Sequence, residues 1–382
     1  MNKFFWIEAK QLDRVTNFST RIEPIKYGNS RGLSIFYYCT YAKEKKDYGL
    51  VNNIIYLNKC RSKMVKAVEF RLLVIWTTIK ITILNRKSII MVNPDLIYFT
   101  MLAVAINKIL KKSNNFIVDV RTIPTNPETF DSDMKKFHRS FKYAVKYFDG
   151  LSFITPFMET YLMRHYNRNY KKVIWTSGVD VELFDLGKVK PRKNYKFTLF
   201  YHGGISLSRG NLDLIKACEI LAREGYDIEL IQVGITVDKE IIEYIEESAI
   251  GSWCKILPPV SLKEIPQLIA NCDLPVLPFP DFMAWRVSSP IKLMEYLAMG
   301  KKVLVPDMEC FTDVFGSRSD LVFYYKSNSQ EPVKEIAKAI RSILDNNALA
   351  YCNFSAEIRA FVLERYTWQT QAAKLFDFCE AL

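Results

Sequence analysis

Strand-length apolar runs alternate with helix-length stretches along the whole chain, and that order leaves few folds open. Runs of strand type fall at 4–7, 33–39, 53–57, 88–92, 116–120, 150–155 and 172–176. A second series follows at 197–201, 228–233, 255–257, 274–278, 302–305 and 321–325. Helical spacing fills gaps such as 132–147, 211–224, 239–249, 262–271 and 332–344. Strands separated by helices pair in parallel, each joined to the next by a crossover. The 382 residues suffice for two such sheets with separate cores. A polar stretch without apolar periodicity, from Asp185 to Asn194, divides the two series. The pattern predicts an α/β chain with a first domain over 1–184, a linker over 185–195 and a second domain over 196–365.

Charge separates the two halves. Residues 1–190 carry 32 Lys and Arg against 16 Asp and Glu, whereas residues 191–382 carry 21 against 25. The basic half is expected to meet something anionic: a membrane surface, a pyrophosphate-linked lipid or nucleic acid. No nucleic-acid-binding signature supports the last of these, so no nucleic acid is expected. Eight cysteines are scattered without a C-x-x-C pair, which argues against zinc and disulfides and for a reducing compartment. Only three histidines occur, and the single D-x-D, Asp131-Ser132-Asp133, reads as helix capping. Neither a metal nor another cofactor is expected. The apolar run 4–7 is cut by Glu8 and is too short for a signal peptide, and no stretch reaches the roughly 18 uncharged apolar residues of a spanning helix. A cytoplasmic location follows.

The chemistry concentrates in the second half. Residues 288–305 read as a helix that opens on Ser288-Ser289-Pro290, closes on Gly300 and leads into a buried strand. A helix start offers backbone N–H groups to a phosphate. Lys292 adds a full charge in the first turn beside Ile291, and Glu295 lies one turn on, within reach of a group attached to that phosphate. A second turn of this type follows the strand 197–201, as His202-Gly203-Gly204-Ile205-Ser206-Leu207-Ser208-Arg209-Gly210. Its glycines let the backbone approach a ligand, and Arg209 can fork onto diphosphate oxygens. Asp273, at the start of the strand 274–278, reads as structural. In the first half, Arg121 ends a buried strand, where open α/β sheets bind ligands. It needs a partner, either a phosphate or acceptor group or a carboxylate.

The 288–305 stretch is similar to the nucleotide-sugar signature of GT-B glycosyltransferases of family 4, the glycosyl transferases group 1. Glu295 matches the second glutamate of the family's E-x7-E motif, which implies a hydrogen bond to the donor ribose. Val287 stands in place of the first, which in the family contacts the donor sugar. Arg209 matches the lysine of the G-R-L-x-x-x-K-G loop, while Gly204 replaces its arginine, and Lys292 is expected to compensate. The loop 257–261 corresponds to the base-pocket loop and includes Pro259 and Val260; read alone it is an ordinary turn. The stretch 175–184 resembles the family's exit from the first domain. Tyr366-Thr367-Trp368 resembles its last helix, so 366–382 is expected to pack back on the first domain. The family's glycine-rich first loop is replaced by one carrying Asn17, Ser19 and Thr20.

The resemblance implies a GT-B architecture, two Rossmann-like domains with a cleft between them. It implies Arg209, Lys292 and Glu295 as the catalytic set. Gly203, Gly204, Pro259, Val260, Ser288, Ser289 and Ile291 join Glu295 in binding the donor, and Arg121, Asn17 and Ser19 lie on the acceptor side. The implied activity is transfer of a sugar, a hexose by expectation, from a nucleotide-sugar to a glycan or polyprenyl-pyrophosphate-linked acceptor. Retention of configuration and a place in surface polysaccharide biosynthesis are expected with it. The alternatives are a non-catalytic sugar-nucleotide-binding partner of a transferase complex and a nucleotide-sugar epimerase of the same fold. Residues 63–87 add an apolar body with a Trp and basic ends. They fit either an interfacial helix on the inner face of the cell membrane or a core helix plus strand.

Overall fold

The computed structural model describes residues 3–10, 19–40, 48–50, 52–57, 63–192, 195–349 and 355–382. The chain forms two units, Met1–Gly178 with Trp368–Leu382, and Val179–Thr367. The change-over therefore precedes the polar stretch read as a linker. Val179 already bridges to Thr367, and Phe184 is buried in the second core.

Among the described residues the first unit holds seven parallel strands: β1 (Lys3–Ile7), β2 (Ser34–Cys39), β3 (Ile54–Tyr56), β4 (Ile89–Val92), β5 (Asn115–Val120), β6 (Gly150–Phe153) and β7 (Lys172–Ile174). Their order is β3-β2-β1-β4-β5-β6-β7. The chain winds outward from β1 in one direction and from β4 in the other, so the crossovers leaving these neighbours diverge. A crevice at the carboxyl ends of such strands is where this topology binds ligands. β1 and β4 are covered on both faces, which explains their nearly unbroken apolar runs. Alternate side chains of β1 divide between two cores. Phe4 and Trp6 pack with Trp175, Leu375 and Phe376, while Phe5 and Ile7 pack with Phe70 and Val74. Trp6 meets Tyr37 and Trp175 edge-on, with centroids 5.6 and 6.0 Å away.

Residues 63–84 form one continuous helix, Lys63–Leu84, not a helix plus a strand. The hydroxyls of Thr78 and Thr82 donate to the carbonyls of Val74 and Thr78, so two β-branched polar residues are buried on a helix without loss of hydrogen bonding. The acids of the D-x-D also differ from expectation. Thr129 is the N-cap of the helix Phe130–Tyr147, and Asp131 and Asp133 lie in its first turn, where negative charge suits the helix dipole.

The second unit carries β8 (Phe197–His202), β9 (Ile228–Val233), β10 (Cys254–Leu257) and β11 (Leu274–Pro275) in the order β10-β9-β8-β11. Beyond β11, Val276 bridges to Leu304 and so reaches the parallel pair β12 (Leu304–Pro306) and β13 (Phe323–Tyr325). Every strand pairing in the described residues is parallel. The six described cysteines are all free and buried.

The last helix, Trp368–Glu380, completes the first core. Phe376 packs edge-on against Phe4 at 5.4 Å, and its ring would lie only 2.9 Å from a Cβ at Gly28. Phe376→Ala should destabilise the first unit by roughly 3–5 kcal/mol. Urea unfolding followed by Trp fluorescence should show an early transition that wild type lacks.

Candidate functional site

In the second unit, the turn after β8 and the start of the helix Ile291–Ala298 build one site. Gly203 has φ +119°, and a Cβ there would sit 2.2 Å from Lys292 Cε and 2.8 Å from its Nζ. Only a glycine leaves room for the ammonium to lie over the turn. Gly210, at φ +74°, closes the turn with its α-carbon against Pro278, whose carbonyl oxygen a Cβ would meet at 1.8 Å. Buried Asn211 fixes the loop by accepting from Ser206 N at 3.0 Å and donating to Gln232 at 2.7 Å. The Tyr201 hydroxyl donates to Gly204 O at 2.8 Å. Arg209 lies over the Trp285 ring at 5.5 Å, and that indole donates to Ser208 O at 2.8 Å. Arg209 also influences Lys292 electrostatically, as does Glu295, so the three expected residues share one neighbourhood.

Burial pushes the Lys292 ammonium down to about 7, and the charge of Arg209 adds to the effect while Glu295 opposes it. Two cations are thus held close together without enough local anion to balance them, which is the state an anionic ligand relieves.

Glu295 is buried, with its Oε2 3.1 Å from His202 Nε2. The distance suits an ion pair, but neither atom completes a hydrogen bond with the other or with any protein group among the described residues. The pair is close but misaligned. His202 N donates to the hydroxyl of Tyr296 at 3.1 Å. His202 was missed as a site residue; its only sequence signal is its place immediately before Gly203.

Other expected residues differ in role. Pro290, not a serine, is the N-cap of the helix, and no side-chain hydrogen bond caps it. Ser288 lies two residues too early, and its hydroxyl turns back to Trp285 O at 2.7 Å. Ser289 is buried and Ile291 half-buried. Pro259 is exposed and Val260 packs partly on the core, after which Ser261 N and Oγ both donate to Glu264 and start the next helix. Asp273 accepts from Thr198 N at 2.7 Å, a structural role. Arg286 forks onto Glu309 with two contacts of 2.7 Å.

The first unit has its own polar cavity of about 620 Å³ past the ends of β1, β4 and β5. Glu8 in its wall takes two hydrogen bonds of 2.8 Å from Arg21 and one of 2.8 Å from the Tyr37 hydroxyl. Burial works to raise its carboxyl, but the charge and hydrogen bonds of Arg21 and the Tyr37 bond outweigh it and hold it below the usual range. Asp119 shows the opposite balance. Burial raises its carboxyl despite Arg121 and a bond from Ser152. Arg121 lines this cavity, stacks 3.8 Å over the Trp175 ring and donates to Trp175 O at 2.5 Å. Burial lowers its guanidinium to about 10. Ser19 opens the helix Ser19–Ser30, whose Arg21 enters the cavity wall, and Asn17 lies outside the described residues. The partnership of Glu8 with Arg21 was not foreseen, because Glu8 reads in sequence only as an interruption of an apolar run.

Among the described residues no three His, Cys, Asp or Glu side chains cluster as a metal site. Residues 185–358 match the family described as glycosyl transferases group 1. No curated protein matches the chain. Three solved structures resemble it over its whole length. A glycosyltransferase from Rickettsia africae is 15% identical, with 99% of its own chain covered and a TM-score of 0.73. Anabaena HepE in complex with UDP is 14% identical, with all of its chain covered and a TM-score of 0.73. Sucrose-phosphate synthase from Thermosynechococcus elongatus is 12% identical, with 99% covered and a TM-score of 0.75.

The lowered Lys292 has a consequence for stability. Its folded value, about 7, lies below its ordinary 10.5, so above pH 7 the unfolded chain binds more protons and stability gains with pH. Below pH 7 the lysine is charged in both states and the cost of burying the charge is fully present. Lys292→Met removes that cost. Urea midpoints should show the variant's advantage over wild type to be largest near pH 6 and smaller by about pH 8.5; thiols, which titrate near about 8.5 in the unfolded chain, affect both proteins alike.

Proposed function

Given that the chain is a glycosyltransferase, with a group 1 domain over residues 185–358 on a GT-B fold, we propose that it moves a hexose from a nucleotide-sugar to a glycan or lipid-linked glycan acceptor, with retention of configuration, in the assembly of a surface polysaccharide. The observation that carries the donor assignment is the placement of the Lys292 ammonium over Gly203, with Arg209 and Glu295 beside it. The diphosphate rests against Lys292 and Arg209, and Glu295 takes the ribose hydroxyls. As the glycosidic bond breaks, negative charge grows on the departing diphosphate, and the two preorganised cations stabilise it. With both cations supplied by side chains, no divalent metal is required. Binding the diphosphate favours the protonated lysine, so above pH 7 donor binding takes up a proton.

A panel of sugar nucleotides, each assayed for release of its nucleoside diphosphate, tests the activity. UDP is the first binding probe, because HepE is recorded with UDP. Glu295→Ala should weaken UDP binding by roughly 1.5–3 kcal/mol, the cost of a charge-assisted hydrogen bond. Calorimetry showing equal affinities in variant and wild type would remove Glu295 from the site. EDTA should leave release of the diphosphate intact.

The first unit is proposed to dock on an anionic membrane. On the helix Lys63–Leu84, Val68, Leu72 and Trp76 are exposed, the last two at 61% and 65%, and the neighbouring helix Ile97–Ile109 adds Tyr98, Leu102 and Ile109. Lys66, Arg71, Lys80, Lys108, Lys111 and Lys112 lie on or just beyond the same helices. Apolar side chains enter the headgroup boundary while each Lys or Arg adds about 1 kcal/mol on an anionic surface. No described helix is long and apolar enough to cross a membrane. The full chain should therefore co-sediment with phosphatidylglycerol vesicles at low salt and detach at high salt. Leu72→Ser with Trp76→Ser should abolish that binding; neutral vesicles that bind wild type equally well would exclude the electrostatic part.

A further inference from the structure

The cavity in the first unit has a polarity that its composition conceals. Its two buried cations are already engaged. Arg21 is forked onto Glu8, and Arg121 donates to Trp175 O and Thr176 O while its face lies on the Trp175 ring. At the rim, Lys136 pairs with Asp133 at 2.7 Å. Half-buried Lys10 also lines the wall and acts electrostatically on Glu8; apart from it, a phosphate entering here would have to break these contacts before gaining its own.

The unmet demand is for donors. Asp119 and Asn93 both belong to the cavity wall, and each carries one buried oxygen, Oδ2 and Oδ1, with no hydrogen-bond partner. The other Asp119 oxygen is saturated by the Ser152 hydroxyl at 2.5 Å and the Trp175 indole at 3.1 Å. The Asn93 orientation is set by its amide nitrogen, which donates to Asp95 at 3.2 Å. A buried acceptor left unmet is costly, so two in one wall favour a ligand that brings hydroxyl groups. Phe137, Pro94 and Pro124 supply apolar surface in the same wall. Hydroxyl donors on an apolar ring face describe a pyranose.

We infer that this cavity binds an uncharged glycosyl unit of the acceptor, through hydroxyl groups donated to Asp119 and Asn93, and does not bind the pyrophosphate of a lipid carrier. The inference rests on the proposed function and names the part of the acceptor that the first unit recognises. It also reassigns Arg121 from phosphate ligand to positioning residue, since it flanks Trp175, which in turn holds Asp119.

The test is saturation-transfer NMR on the full chain. The probes are methyl glycosides of glucose, galactose, mannose and N-acetylglucosamine, with inorganic pyrophosphate followed by phosphorus line broadening. At least one glycoside should bind. Asn93→Ala and the near-isosteric Asp119→Asn should each weaken it about tenfold, the scale of one lost hydrogen bond. Both variants should keep wild-type UDP affinity, because they alter only the first unit, and circular dichroism checks that they fold. Failure of all four glycosides while UDP binds overturns the inference and leaves the proposed function standing. So does pyrophosphate binding that is lost in Arg121→Gln. Failure of UDP itself counts against the proposed function instead.

Discussion

A parallel strand cannot return to its neighbour by a tight turn, and that constraint decides where chemistry can sit in both units. Each connection leaves the carboxyl end of one strand, crosses a face and re-enters at the amino end of the next. Loops gather at both edges, but the crevice that takes a ligand opens at the carboxyl ends, where crossovers leaving neighbouring strands diverge. Both polar sites obey this. The turn carrying Gly203 and Arg209 leaves β8, and the cavity holding Glu8, Asn93 and Asp119 lies past β1, β4 and β5. The sheets are buried on both faces, so their strands have no polar surface to offer elsewhere.

The two sites use charge in opposite ways. In the first unit nearly every buried charge is answered: Glu8 by Arg21 and Tyr37, and Arg121 by backbone carbonyls and an indole face. Such a network sets shape and orientation. In the second unit Lys292 and Arg209 repel one another, and Glu295 only partly offsets them. That arrangement is costly without a ligand and gains most when an anion arrives, as a site for a departing diphosphate requires. The net basic charge of the first half, taken alone, points to phosphate binding there. Pairing shows that much of its buried positive charge is spent internally, while Lys66, Arg71 and Lys80 lie on the helix whose Leu72 and Trp76 are exposed.

Fold was more legible in the sequence than site. Each of the thirteen strands among the described residues lies within or beside a predicted run, because both-face burial demands an unbroken apolar segment and helices separate the segments clearly. The helix Lys63–Leu84 resisted the same approach. Its apolar residues occupy both a buried and an exposed face, so periodicity alone could not distinguish a helix from a helix plus strand. Within the site, Lys292 and Gly203 were legible because a glycine turn and a cation at a helix start have a recognisable order. Their direct contact was not legible, since it depends on one ammonium lying over one α-carbon across almost ninety positions of sequence. His202, Asn93 and Trp175 were missed for a related reason. A single His, Asn or Trp at a strand end carries no periodicity, and only packing shows that its polar atom faces another site residue or a cavity.

The position of Val287 illustrates how a missing motif residue should be judged. By resemblance an acid belongs there, in contact with the donor sugar. In this chain Val287 is entirely buried and caps the short helix Met283–Arg286, with its backbone N–H donating to Met283 O. A carboxylate at that point would be stripped of water, and the adjacent cation, Arg286, already forks onto Glu309 and approaches Asp281 at 3.4 Å. Dehydrating an unpaired carboxylate costs several kcal/mol. The valine is therefore not a catalytic acid simply deleted from an otherwise unchanged surface. The local turn packs around an apolar residue, and the neighbouring Arg286 is paired with Glu309. A buried valine side chain offers no polar contact, so in the proposed function any contact to a donor sugar comes from groups other than the side chain at 287.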